Sequence, residues 1–274
     1  MIADARERPW PDAASIAQDP RVTVDQVTKH YFTRDGAVHA LAEVSFDLRE
    51  REFLSIVGPS GCGKSTLLML IAGLIPLTSG QIRIAGETVR RPYTDLGIVF
   101  QRDVLLNWRS VLDNVLIQVE MRRLKRQAYE GRARELLAQV GLTGFEKKYP
   151  NELSGGMRQR AAICRALVHD PPLLLMDEPF GALDALTRDQ MNLDLLKMWD
   201  QEHKTVLFIT HSIAEAVFLS DRVMVMSARP GRVVEMLEVD LPRPRPLAVR
   251  ETPKFAAYTR RIRELFQAEG LLLE

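Results

Sequence analysis

The sequence predicts an α/β protein whose mostly parallel sheet is covered by helices on both faces, with a helical subdomain inserted into it. Short apolar segments alternate with helical stretches along most of the chain, and this alternation is typical of parallel sheets. Residues 102–170 show no strand pattern and predict a separate helical lobe. The 274 residues are 46% hydrophobic and 27% charged, as in an ordinary globular protein.

Eight segments have the apolar or alternating pattern of a strand. They are residues 22–24, 44–48, 53–57, 81–85, 96–100, 173–176, 206–209 and 223–226. The segment 53–57 is mostly apolar, as expected of a strand that is buried on both faces. Helical patterns occur at 64–73, within 110–140, from about Ser154 onward, and at 254–270.

These patterns divide the chain into three parts. Residues 1–20 contain three prolines and are expected to form a flexible N-terminal extension. Residues 21–240 hold the predicted strands and form the main domain, with the helical subdomain at about 102–170. Residues 241–274 begin with three prolines in six positions, which predicts a linker followed by a C-terminal helix.

Composition excludes several classes of protein. The formal net charge is +1, so no overall attraction to nucleic acid or anionic lipid is expected. The two cysteines, Cys62 and Cys164, are too few for a disulfide framework and suit a reducing compartment. Residues 1–20 lack the apolar stretch of a secretory signal, and the longest apolar run, 67–77, is far shorter than the ~20 residues that cross a bilayer. Any transport that the chain drives is therefore expected to run through another protein.

A phosphate-binding loop follows the predicted strand 53–57. The pattern G-x-x-x-x-G-K-[ST] is formed by Gly58, Pro59, Ser60, Gly61, Cys62, Gly63, Lys64 and Ser65, and Thr66 comes next on the predicted helix. The glycines let successive N–H groups converge on phosphate oxygens, and the helix adds its positive N-terminal end. We expect Lys64 to reach the β- and γ-phosphates and the Ser65 hydroxyl to bind Mg²⁺.

A second acidic site follows the apolar segment 173–176. Asp177 and Glu178 stand at the carboxyl end of this predicted strand, where open α/β sheets bind ligands. Asp177 is expected to hold Mg²⁺ through a water molecule, and Glu178 to polarise an attacking water as a general base. A carboxylate placed for water favours hydrolysis over transfer to a second substrate.

The stretch 153–160 resembles the signature of ABC transporter ATPases. Its Ser154 can cap a helix, while Gly155 and Gly156 leave backbone N–H groups open to an anion. The resemblance implies that this signature contacts the γ-phosphate held by the second cassette of a head-to-tail dimer.

Other segments resemble further elements of the same family, in the expected order. Gln101 resembles the Q-loop glutamine that senses Mg²⁺ and faces the permease, and the tripeptide at 182–184, which ends in Asp184, resembles the D-loop that crosses the dimer interface. His211 resembles the switch histidine that contacts the γ-phosphate. Tyr31 is expected to stack on adenine, with Phe32 as the alternative.

The resemblance covers residues 22–235 and implies a P-loop NTPase (RecA-like) core with an antiparallel β-subdomain and the inserted helical subdomain. It implies ATP and Mg²⁺ as cofactors and a homodimer of cassettes. The partners it implies are an integral-membrane permease and, indirectly, an extracytoplasmic substrate-binding protein, with the chain peripheral at the cytoplasmic face of the inner membrane. One departure is Arg51, which stands where the family commonly has glycine.

The segment 227–232, Ser-Ala-Arg-Pro-Gly-Arg, together with Met157, is most similar to the nitrate, sulfonate and taurine importer ATPases. The alternative is a soluble ABC-type ATPase that acts on nucleic acid or ribosomes. Such proteins usually have two cassettes in one chain, long coiled-coil insertions or a zinc hook, and the sequence shows none of these. We therefore expect no nucleic-acid partner.

Overall fold

The computed structural model describes residues 20–33, 36–181, 183–202 and 204–271. Its larger sheet has six strands in the spatial order β10 (Val233–Glu238), β9 (Arg222–Met226), β3 (Phe53–Val57), β8 (Thr205–Ile209), β7 (Leu173–Asp177) and β6 (Gly97–Val99). All neighbours pair in parallel except β9 and β10. The predicted mostly parallel sheet is confirmed, and strand β10 was not predicted.

The smaller sheet is antiparallel. Its strands lie in the order β2 (Gly36–Arg49), β1 (Pro20–Thr33), β4 (Ser79–Ile84) and β5 (Glu87–Thr88). Strands β1 and β2 are each much longer than the segments predicted for them. They alternate buried and exposed residues, and irregularities in their register, such as those around Val27, interrupt the alternation.

Seven α-helices complete the described fold. They are α1 (Lys64–Ile71), α2 (Val111–Met121), α3 (Arg126–Gln139), α4 (Gly155–Leu167), α5 (Ala185–Glu202), α6 (Ile213–Leu219) and α7 (Pro253–Ala268). Side-chain oxygens of Ser110, Ser154, Ser212 and Thr252 cap α2, α4, α6 and α7 by accepting from the backbone N–H three residues on. Residues 102–170, all of them described, contain helices and no strand.

Two hydrophobic cores lie on opposite faces of the six-stranded sheet. Alternate residues of β3 point to opposite faces, so Phe53 and Val57 pack with residues of helices α2 to α7. Leu54 and Ile56 pack with α1 and the antiparallel sheet. This double coverage explains why β3 is mostly apolar in sequence. Within the described ranges, no helix is both long and apolar enough to cross a membrane.

The segment expected to be a linker is packed rather than free. Arg245 is 4% exposed and donates to the carbonyls of Val217, Phe218, Ser220, Val239 and Leu241. Arg243 stacks on Trp199 with its guanidinium 4.2 Å from the ring centroid. The side chains of Arg243 and Arg245 therefore hold this segment against the domain. The N-terminal extension lies outside the described residues, apart from Pro20 in β1.

The turn before β3 holds Arg51 in a left-handed backbone conformation. Arg51 has a φ of 60°, a conformation that glycine adopts more readily. Its N–H donates to Thr205 Oγ1 at 3.0 Å, and Glu52 Oε2 accepts from Arg49 N at 2.7 Å. Side-chain bonds thus stabilise a turn for which glycine would be the simpler choice.

Candidate nucleotide-binding and hydrolysis site

The phosphate loop connects β3 to α1. Gly63, directly before α1, has a φ of 105°, and a Cβ there would lie 2.6 Å from Leu41 Cδ2 and 3.0 Å from Ala40 O, so only glycine fits. The loop encloses the 5% exposed Lys64, whose ammonium donates to Gly58 O at 2.8 Å and Pro59 O at 2.9 Å. The cation therefore lies inside the loop, where a phosphate could replace the carbonyl contacts.

Cys62 is a buried thiol within this loop. Burial raises its pKa, although the nearby Lys64 charge acts in the opposite direction. The thiol is consequently protonated at neutral pH and packs as a small apolar group.

Asp177 and Ser65 form a site that fits Mg²⁺. Asp177 ends β7 and is 8% exposed. Burial raises the pKa of its carboxyl, while a hydrogen bond from Ser65 and the charge of Lys64 lower it. Its Oδ1 is buried and, among the described residues, has no hydrogen-bond partner. A buried carboxylate oxygen without a partner beside a hydroxyl is the kind of hard oxygen donor set that Mg²⁺ binds.

Glu178 brings two of the other predicted residues together. Its Oε2 accepts from Gln101 Nε2 at 3.0 Å and lies 3.5 Å from His211 Nδ1. Its φ is 45°, unusual for a non-glycine residue, and its N–H donates to Ile209 O at 2.9 Å. The structure thus joins Glu178, Gln101 and His211 at one sheet edge. Gln101 contacts the expected base, and no hydrogen bond joins its side chain to Ser65 or Asp177 in the described part of the chain.

The signature residues lie at the start of α4. Ser154 Oγ accepts from Met157 N at 3.3 Å. The first N–H groups of an α-helix, here including those of Gly155 and Gly156, have no intrahelical partners. Within the described residues, no hydrogen bond connects Ser154, Gly155 or Gly156 to the phosphate loop. The expected contact of the signature with a second chain stays a prediction.

Asp184 holds the start of α5. Its carboxylate accepts from Thr187 N at 3.0 Å and from Thr187 Oγ1 at 2.6 Å, and these bonds lower its pKa. Ala182 of the predicted D-loop lies outside the described residues. Asp184 therefore has a structural role within the chain, and its predicted contact with a partner stays a prediction.

Of the two candidate adenine-stacking residues, Tyr31 contacts the helix that follows the phosphate loop. Its hydroxyl is 3.4 Å from Thr66 Oγ1 on α1, and Lys29 Nζ lies 4.9 Å from its ring centroid. Phe32 is 83% exposed. The contact with Thr66 favours Tyr31.

Known proteins share this architecture. Residues 41–181, more than half of the chain, match the ABC transporter family. The taurine import ATP-binding protein TauB of Rhizobium johnstonii is 49% identical over 251 residues, which cover 89% of this chain and 96% of that protein. The chain belongs to the ABC transporter family.

Other ABC transporter proteins match over similar lengths. The aliphatic sulfonates import ATP-binding protein SsuB of Bacillus cereus is 41% identical, over 92% of this chain and 98% of that protein. A solved dimeric bacterial ABC transporter cassette superposes with a TM-score of 0.73 at 32% identity, covering 81% of this chain and all of the cassette. The same cassette, with the same scores, has also been solved in a post-hydrolysis state bound to ADP and Pi.

Behind His211 of this ABC transporter chain lies a buried network that the sequence patterns did not predict. Thr210 Oγ1 donates to Glu215 Oε2 at 2.6 Å and accepts from Ser212 N at 3.0 Å. Glu215 Oε1 lies 3.4 Å from Arg188 Nε, and burial raises the pKa of its carboxyl in spite of these partners.

Arg188 extends the network to the loop after Glu178. Its Nε and second guanidinium nitrogen donate to Phe180 O at 3.3 Å and Leu183 O at 2.7 Å. Ser212 and Glu215 are spaced like a helix N-cap and its N3 residue, and that spacing could have identified Glu215. The network therefore connects the loop that holds His211 to the loop that follows Asp177 and Glu178.

Proposed function

We propose that this ATPase powers the import of a small anion, such as a sulfonate, taurine or nitrate, through a separate permease. The observation that carries the hydrolytic part is the convergence of Glu178, Gln101 and His211 beside the phosphate loop. The import part rests on the relatives, since the taurine and aliphatic sulfonate proteins are named as import subunits.

In the proposed mechanism, side chains of this chain bind the phosphates, orient the attacking water and stabilise the developing charge. Lys64 balances charge on the β- and γ-phosphates, and Ser65 and Asp177 would hold Mg²⁺, which supplies further neutralisation of the phosphates when bound. Glu178 orients a water for in-line attack and receives its proton. His211, 3.5 Å from Glu178, stabilises the charge that develops on the γ-phosphate. Tyr31 stacks on adenine.

Each hydrolytic site is proposed to need two chains. One chain contributes its phosphate loop and the other contributes Ser154, Gly155 and Gly156, with Asp184 near the boundary between them. The solved dimeric cassette supports this assembly. The cassette would extend over residues 21–240, with its helical subdomain at about 102–170, and would bind the permease from the cytoplasmic face of the inner membrane. A substrate-binding protein outside the membrane would deliver the cargo to that permease.

Uptake after deletion of the gene tests this function. Growth and uptake are measured on sole sulfur or nitrogen sources: taurine, alkanesulfonates and nitrate. We expect uptake of one class to be lost, and to be restored by the wild-type gene but not by Lys64→Ala at equal protein level. Unchanged uptake of every source, in a strain without a second importer for them, would contradict the import assignment and favour the soluble alternative.

A further inference from the structure

The turn between β9 and β10, residues 227–232, lies against the outside of the phosphate loop. Arg229 Nε donates to Gly61 O at 3.2 Å. The backbone of Gly231 passes so close to the loop that a methyl group on its Cα would collide with the carbonyl oxygen of Cys62. The turn therefore contacts two consecutive peptide groups of the loop, although it is 168 residues away from Gly61 along the chain.

The turn is anchored on both of its sides. Ser227 Oγ accepts from Arg232 N at 3.1 Å, and Ser227 N donates to Arg232 O at 3.0 Å. Gly231 N donates to Ala40 O at 3.0 Å, and Gly231 O accepts from Ala42 N at 2.9 Å. The first pair of bonds closes the turn and the second pair fixes it to β2, so the turn is held in place beside the phosphate loop.

We propose that Arg229 is a positioning residue for ATP binding, which it promotes by holding the carbonyl of Gly61 outward. In a planar trans peptide the C=O and the following N–H point in opposite directions. Holding Gly61 O toward Arg229 therefore directs the Cys62 N–H into the loop. There it makes a long bond to Pro59 O, at 3.3 Å, which a phosphate oxygen can replace.

Replacing Arg229 should lower the affinity for ATP rather than kcat. Arg229 is exposed, and its bond is to the loop rather than to Glu178, Gln101 or His211. Its charge is screened by salt, so most of its contribution comes from the hydrogen bond to Gly61. The inference rests on ATP being the ligand of the phosphate loop, as proposed above.

Arg232 offers a matched control in the same turn. Its guanidinium donates to Glu269 at 3.1 and 2.9 Å, away from the phosphate loop. Arg229→Ala and Arg232→Ala each remove one positive charge from the turn, and they differ in whether the lost side chain contacts Gly61. Arg229→Lys keeps the charge and a donor.

The experiment measures ATP binding by calorimetry, and KM and kcat for hydrolysis, with the purified full-length chain. We expect Arg229→Ala to weaken ATP binding and raise KM about 3- to 10-fold, the size expected for one lost hydrogen bond, with kcat within about twofold of wild type. Arg229→Lys should recover most of the affinity, and Arg232→Ala should match wild type. The melting temperatures of all variants should stay near that of wild type.

Three results would overturn the inference: wild-type ATP affinity in Arg229→Ala, an equal loss in Arg232→Ala, or a loss confined to kcat. Failure of the proposed function would look different. In that case the wild-type chain itself would not bind ATP, or Lys64→Ala would bind it as well as wild type does.

Discussion

Thr210→Val tests the buried network behind His211. Valine has nearly the shape of threonine but lacks the hydroxyl, so Glu215 Oε2 loses its donor at 2.6 Å and Ser212 N loses its acceptor at 3.0 Å. Thr210 and Glu215 are 2% and 6% exposed, so little water can replace the bond to the carboxylate. Loss of a hydrogen bond to a buried charged group costs about 1.5–3 kcal/mol, and a partly exposed N–H adds up to about 1 kcal/mol.

The total, about 2–4 kcal/mol, should lower the melting temperature by roughly 5–15 °C for a chain of this length. Because Thr210 precedes His211 directly, kcat for ATP hydrolysis should also fall, by about tenfold or more if the histidine shifts. Thr259→Val is the control, since the Thr259 hydroxyl donates within its own helix α7, to Ala256 O at 3.0 Å. Calorimetric unfolding and steady-state ATPase assays give both quantities.

The same variant has a defined pH dependence. Burial raises the pKa of Glu215, and the hydrogen bond from Thr210 opposes that rise, so Thr210→Val should raise it further. A glutamate whose pKa is higher in the folded chain than in the unfolded chain contributes stability at low pH. That contribution is lost as the pH rises through the pKa of the folded chain. The gap in melting temperature between wild type and variant should therefore narrow when the pH is lowered from about 8 to about 5. A variant that melts within about 1 °C of wild type at both pH values, with wild-type kcat, would refute the network.

Three other substitutions test the general base, the metal site and the buried arginine of the C-terminal segment. Glu178→Gln should lower kcat by about 10²- to 10⁴-fold, the usual contribution of a general base, with ATP binding retained; normal turnover would remove Glu178 from that role. Asp177→Asn should raise the Mg²⁺ concentration needed for half-maximal hydrolysis by at least about tenfold, and an unchanged Mg²⁺ titration would reject the assigned metal site. Arg245→Met should destabilise the fold by about 3 kcal/mol or more, since it leaves buried carbonyls without donors; an unchanged urea midpoint would show that water replaces them.

The buried part of the fold could be predicted from the sequence because burial leaves a strong pattern. β3 and β7 are buried throughout and mostly apolar in sequence, apart from Ser55 and the terminal Asp177. β5 has two exposed residues and β10 is mostly half-buried, so neither has a comparable pattern. The packing of the predicted linker at 241–246 left no sequence signal, because proline content does not reveal that Arg245 donates to five carbonyls in the fold.

The candidate site was predictable where its residues are consecutive. The phosphate loop and the pair Asp177 and Glu178 have fixed local spacing, and the structure places Glu178 within reach of Gln101 and His211. The contacts of Arg188 with Glu215 and of Arg229 with Gly61 join distant segments. No local spacing encodes those contacts, and they emerge only when the sheet and helices are assembled.

The most direct test of whether two copies of this chain enclose ATP is the mass of the Glu178→Gln variant in solution. It is measured by sedimentation, once with ATP and once with ADP. One chain has a mass of 31.0 kDa. We expect twice that mass with ATP and the mass of a single chain with ADP, because only the γ-phosphate joins the phosphate loop of one copy to the signature of the other. The double variant Glu178→Gln, Ser154→Arg, in which the arginine side chain blocks the signature, should have the mass of a single chain with ATP. A single chain with ATP in Glu178→Gln, or equal pairing when Ser154 is replaced, would contradict it.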